Sequence, residues 1–194
     1  MSWKHAKSVH EFTLTALRKT PASISTPVSI PMSTYKNKIL LIVNVASKCG
    51  TSITNYNHLN DLHEKYHSKG LNLLIQPCNQ FGFQEPLVNE KLFEQIEKKF
   101  QIPKSDTFNT FQLLERNDVI GVGGLPLWLY LQKHWRTLDY NNPSYAIPGV
   151  VGMNTIRWNF TKFLIDGEGK PRVRYGVKEL VNEKDVEMLI SELD

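Results

Sequence analysis

The sequence predicts an α/β protein, a central mixed β-sheet flanked by helices. Two aliphatic runs, residues 38–46 and 71–75, lack the alternation of a half-exposed strand and read as strands covered on both faces. Between them Ile53, Tyr56, Leu59, Leu62 and Tyr66 recur every three or four residues, the period of an amphipathic helix. Near the C-terminus two apolar runs flank Asp166-Gly167-Glu168-Gly169, the turn signal of a β-hairpin, ahead of a closing helical segment.

Taken in order, residues 11–17 alternate in the manner of a strand and lead into a connection rich in Pro, Ser and Thr. The strand over 38–46 is expected at the centre of the sheet. The helix over 51–67 closes on Ser68-Lys69-Gly70, where glycine supplies the stop. The strand over 71–75 completes a unit long enough for a right-handed βαβ crossover, so the C-terminal strand ends are the expected site. Residues 89–100 read as a helix with Leu92, Phe93, Ile96 and Phe100 on one side, followed by a strand near 108–114 and a short helix over 126–134. Residues 135–155, rich in Pro, Gly and Asn, are too long for an ordinary connection and read as a functional or interaction loop. The hairpin strands fall at 160–165 and 173–177, and the last helix at 183–193. A βαβ unit followed by ββα is the order of the thioredoxin-like fold.

A chain of 194 residues suits one well-buried core, so residues 1–194 are expected to form a single domain. No repeat or low-complexity tract divides it. The net charge of +4 is spread without a polybasic block, which argues for a solvated surface and against nucleic-acid binding. The longest apolar run is far below the roughly 20 residues of a membrane span, so no stable membrane association is expected. The N-terminus lacks the apolar core of a secretory signal and only two cysteines occur, Cys49 and Cys78; both point to a reducing, cytoplasmic setting.

Cys49 follows the predicted central strand and precedes the first helix. Unpaired N–H groups and the positive end of the helix dipole favour an anion there, which biases a thiol toward the nucleophilic thiolate. A buried inert cysteine at a strand end fits the position equally well. Its company separates the two readings.

Asn44-Val45-Ala46-Ser47-Lys48-Cys49-Gly50-Thr51, then Pro77-Cys78-Asn79-Gln80-Phe81-Gly82-Phe83-Gln84-Glu85-Pro86, then Trp158-Asn159-Phe160-Thr161-Lys162-Phe163-Leu164 resemble the three signature blocks of glutathione peroxidases, in that family's order. The resemblance runs from about Glu11 to the end of the chain. It implies a thiol-dependent peroxidase that takes hydrogen peroxide and organic hydroperoxides to water or alcohols. It also implies a catalytic tetrad of Cys49, Gln84, Trp158 and Asn159. The two amides and the indole N–H are donors that can face one sulfur without adding negative charge beside it, and the same donors can serve the departing alkoxide. The product would be a sulfenic acid at Cys49, returned to the thiol through a mixed disulfide. Glutathione is the implied co-substrate, with no further cofactor and no metal, and Lys48 and Arg157 are candidates to meet its carboxylates, ahead of Arg172 and Arg174. A thioredoxin-dependent peroxidase and a non-cycling redox sensor of the same fold are the alternative functions.

His63-Glu64-Lys65-Tyr66-His67 also fits the H-E-x-x-H zinc pattern, with Glu85 or Glu90 as a third ligand. The helix ends at once after the pattern, and Glu85 lies within a peroxidase block, so the zinc reading is set aside. Relative to the family, Glu97 stands where thioredoxin-using members carry a resolving cysteine, and Leu87 where a glycine is frequent. Cys78 reads as a packing thiol. The long 135–155 stretch resembles the oligomeric members, so a homo-oligomer, with a tetramer as candidate, and soluble hydroperoxides are expected; Trp135, Tyr140, Tyr145 and Ile147 would lie in the interface.

Overall fold

The computed structural model describes residues 3–20, 23–102, 110–134 and 155–193. The chain runs β1 (Thr13–Thr20), β2 (Ser23–Pro31), β3 (Ile39–Val45), α1 (Ser52–Tyr66), β4 (Leu71–Pro77), α2 (Asn89–Phe100), β5 (Phe111–Leu113), α3 (Pro126–His134), β6 (Lys162–Ile165), β7 (Pro171–Tyr175) and α4 (Glu183–Ser191). Five strands form one mixed sheet in the order β5-β4-β3-β6-β7. β3 pairs parallel with β4 and antiparallel with β6, which places it at the centre as its aliphatic run predicts. This is the thioredoxin-like arrangement.

Every residue of β3 and β4 is buried, and the pleat divides their side chains between two cores. Ile39, Leu41, Val43 and Val45 face a core built with Tyr56, Leu59 and Leu62 of α1, Leu92, Phe93 and Ile96 of α2, and Val186 and Leu189 of α4. Leu40 and Ile42 face the other, with Trp128 and Leu131 of α3, Phe163 of β6, and Phe12 and Leu14 from the N-terminal segment. With helices on both faces, a regular alternation of polar residues has no place in these strands, and this is why they read as mainly apolar runs; the exceptions, Asn44, Asn72 and Gln76, are buried and hydrogen-bonded.

The connection expected after the first strand is instead β2, paired antiparallel with β1 from Thr13↔Pro31 to Thr20↔Ser23. Pro27 and Pro31 sit in a strand whose one strand partner among the described residues is β1, where a missing N–H is tolerated. A bridge from Ala16 to Leu114 links this hairpin to the β5 side of the main sheet. β5 is shorter than expected, and Phe108 and Asn109 lie outside the described residues. β6 begins at Lys162 because Phe160 has φ +62°, a left-handed conformation that bends the chain before the ladder. Gly70, at φ +104°, closes the turn after α1 as predicted. The loop at 135–155 falls outside the described residues as far as 154.

Candidate active site

Parallel strand β3 delivers the chain to residues 46–51, which turn into α1. Ala46 O accepts from Cys49 N (3.3 Å) and from Ser52 Oγ (2.9 Å), and Cys49 O accepts from Ser52 N (3.1 Å). The turn thereby places Cys49 two residues ahead of the N-cap, Thr51. Cys49 is 8% exposed and borders the α1/α2 core, with Sγ 3.4 Å from Thr51 Oγ1.

Gln84 reaches this turn from the loop after β4. Its carbonyl accepts from Lys48 N at 3.0 Å, so the Gln84 backbone is bonded to the residue beside Cys49. Its side-chain Oε1 accepts from Asn159 Nδ2 at 3.0 Å, and Asn159 Nδ2 also lies 3.4 Å from Phe81 O. Asn159 is fully buried, whereas Gln84 keeps partial exposure. With Oε1 turned to Asn159, the Nε2 end of Gln84 is the donor left for a ligand. Trp158 is half-buried, packs against both cores, and has its ring centroid 6.1 Å from that of Phe81.

The Trp158–Asn159 segment is held by the polar residue that opens the first of the three blocks and interrupts the aliphatic run of β3. Asn44, fully buried in β3, donates from Nδ2 to Trp158 O (3.1 Å) and accepts at Oδ1 from Thr161 N (2.9 Å). Its backbone carbonyl accepts from Phe160 N at 2.6 Å. These bonds account for the left-handed Phe160: the chain is pinned to β3 on both sides of it. Phe83, one residue before Gln84, is likewise left-handed at φ +54°. Non-glycine residues in this region carry strain that their surroundings must offset, and here both flank the candidate site.

Of the remaining candidates, Lys48 is exposed and Arg157 is half-buried. Arg172 is engaged by Asp166 and Glu192 beside the hairpin turn, and Arg174 donates to Thr155 O. Cys78 is fully buried in the α3 core, on the opposite side of the sheet from the core that Cys49 borders. Burial pushes its thiol up to about 11. The histidines of the zinc pattern stack on each other at 4.8 Å; His63 Nε2 is 2.8 Å from Thr110 Oγ1 and His67 Nδ1 donates to His63 O. Among the described residues no third His, Cys, Asp or Glu joins them as a ligand group.

The family model described as glutathione peroxidase matches residues 18–132, more than half of the 194-residue chain. A probable phospholipid hydroperoxide glutathione peroxidase of Mesembryanthemum crystallinum is 37% identical over 186 residues, covering 95% of this chain and 93% of its own. The chain belongs to the glutathione peroxidase family. It is accordingly an enzyme, an oxidoreductase of the peroxidase class acting on hydroperoxides. Among solved glutathione peroxidase-like structures, T. cruzi GPX1 superposes with a TM-score of 0.61 at 30% identity, covering 95% of this chain and 97% of that one. An Arabidopsis thaliana relative, phospholipid hydroperoxide glutathione peroxidase 1, chloroplastic, is 33% identical, over 95% of this chain and 67% of its own length. Among the described residues of the present chain, no helix is long and apolar enough to cross a membrane.

Proposed function

We propose that Cys49 is the nucleophile of this peroxidase and that Gln84, Trp158 and Asn159 are its hydrogen-bonding partners. The observation that carries the reading is the pair of bonds through Gln84, its carbonyl to the Cys49 turn and its amide to Asn159. In the first step the Cys49 thiolate attacks one peroxide oxygen. An S–O bond forms, the O–O bond breaks, and the leaving oxygen takes a proton to become water or an alcohol. Sulfur is oxidised to the sulfenic acid as the peroxide is reduced. Preorganised neutral donors lower this barrier by meeting charge on the departing oxygen.

Glutathione is the proposed reductant. One molecule displaces water from the sulfenic acid to give a mixed disulfide, and a second attacks that disulfide, releasing oxidised glutathione and the Cys49 thiol. Lys48 and Arg157 are proposed to meet its carboxylates, with no metal or bound cofactor taking part. The placement of Cys78 in the other core, with its thiol held in the neutral form, supports a scheme in which reduction comes from outside the chain. A steady-state assay comparing glutathione with thioredoxin as donor tests this: glutathione turnover supports it, and turnover with thioredoxin alone contradicts it.

Soluble hydroperoxides are the proposed substrates, although two relatives are named for phospholipid hydroperoxide; comparing hydrogen peroxide with a phospholipid hydroperoxide in the same assay decides between them. A homo-oligomer, with a tetramer as candidate, and a cytoplasmic location complete the proposal. The location rests on the two-cysteine composition, and imaging of a tagged chain would distinguish it from the chloroplast of the Arabidopsis relative.

A further inference from the structure

Ser47, two residues before Cys49, is fully buried, and each of its polar groups is taken. Its N–H donates to Glu85 Oε2 (2.7 Å) and its hydroxyl to Glu85 Oε1 (2.8 Å). The hydroxyl oxygen accepts from Gln95 Nε2 (2.5 Å), and the carbonyl from Lys99 Nζ (2.6 Å), both on α2. Glu85 is itself 0% exposed, with its N–H donating to Asn79 Oδ1 and its carbonyl accepting from Arg116. One carboxylate thus joins the turn that carries Cys49, the loop that carries Gln84, and through Ser47 the helix α2.

A buried carboxylate is an expensive tie. Burial raises the Glu85 carboxyl above its usual range, against the Ser47 hydroxyl and N–H, then Arg116 and Lys48, which favour the charged form. Apolar packing would join the same segments at lower cost, but it would not set their separation to a hydrogen-bond length. Adjacent to this tie, the Lys48 N–H to Gln84 O bond repeats the connection through the backbone.

We infer that Glu85 is a positioning residue for the peroxidase reaction, setting the placement of Cys49 relative to Gln84 through its two bonds to Ser47. The inference rests on the reading of Cys49 as the nucleophile. Peroxide reduction needs sulfur, peroxide and donor in one geometry, whereas alkylation of a thiol by iodoacetamide expels iodide and needs no donor for an alkoxide. Misplacement should therefore slow oxidation selectively.

The test measures second-order rates of Cys49 oxidation by hydrogen peroxide and of its alkylation by iodoacetamide, in the wild type, Glu85→Gln and Ser47→Ala. Glutamine keeps the shape but turns a donor toward Ser47; alanine keeps the Ser47 N–H bond to Glu85 and removes both bonds of the hydroxyl, the one to Glu85 and the one from Gln95. Oxidation is expected to fall about tenfold to a hundredfold in Glu85→Gln and less in Ser47→Ala, with alkylation little changed. If Glu85→Gln does not fold, the two rates in Ser47→Ala carry the same comparison. Equal losses in both rates, or faster alkylation with unaltered oxidation, would overturn the positioning role in favour of simple loosening. A wild-type Cys49 that peroxide leaves untouched would overturn the reading of the site itself.

Discussion

Asn159 Nδ2 donates to Gln84 Oε1 across 3.0 Å, joining residues 75 positions apart in sequence. The bond orients the Gln84 amide so that its oxygen is occupied and its nitrogen is the end that can donate to a ligand. If that nitrogen serves the reacting sulfur and the leaving oxygen, Gln84→Ala should slow oxidation of Cys49 by about a hundredfold or more with the fold intact, and Trp158→Phe should act in the same direction. Asn159→Ala, which frees the Gln84 amide to rotate, should cost part of the same loss, so the double variant should be less than additive. Stopped-flow rates for the three single variants and Gln84→Ala/Asn159→Ala check this, and unchanged rates would mean a different constellation.

Asn44 offers a separate handle on the same segment. Asn44→Ala removes the acceptor of Thr161 N, at a buried site, and the donor to Trp158 O, at a partly buried one. Leaving these groups unpaired should destabilise the protein by about 2–4 kcal/mol. Chemical denaturation measures the loss, and peroxidase activity should decline with it, because the segment that carries Trp158 and Asn159 hangs on this side chain.

Acid stability should depend on His63. Burial, and after it the neighbouring His67, push its imidazole down to about 4, so the ring is neutral in the folded chain at mildly acid pH. The unfolded chain takes up that proton near pH about 6.5. Between those values the unfolded state binds more protons, and the contribution of His63, whole above pH about 6.5, is lost as pH falls toward about 4. His10 and His58 shift in the same direction, so the difference between wild type and His63→Gln isolates this ring. The variant should show a flatter decline in thermal midpoint between pH 7 and about 4.5.

The proposed oligomer rests on Trp135, Tyr140, Tyr145 and Ile147. These apolar side chains fall in a stretch rich in Pro, Gly and Asn, and an apolar patch of that kind at a surface is more than monomers usually carry. Light scattering at micromolar protein should give a multiple of the 22.3 kDa chain mass, and a monomer mass would contradict the proposal.

The main sheet was legible in the sequence because strands buried on both faces leave predominantly aliphatic runs without regular alternation, and α2 because Leu92, Phe93, Ile96 and Phe100 keep helical spacing. β2 was not. Its Ser, Thr and Pro residues signal turns locally, and only pairing with β1 makes a strand of them. The candidate site divides differently. Cys49, Gln84, Trp158 and Asn159 carry chemistry that their residue types announce, whereas Ser47, Glu85 and Asn44, though they stand in the same blocks, matter through partners that are distant in sequence. A glutamate is seldom fully buried, so nothing local marks Glu85 as the tie beneath the turn.

Addition of one equivalent of hydrogen peroxide to the reduced protein without any thiol, followed by mass spectrometry, separates the two cysteines most directly. Cys49 should appear as the sulfenic or an over-oxidised acid, with Cys78 still a thiol, because Cys78 lies in the opposite core with burial holding it protonated. Cys49→Ser should abolish turnover, and Cys78→Ser should retain most of it. A near-quantitative disulfide between Cys49 and Cys78, or oxidation confined to Cys78, would contradict a single peroxide-reducing thiol resolved by glutathione.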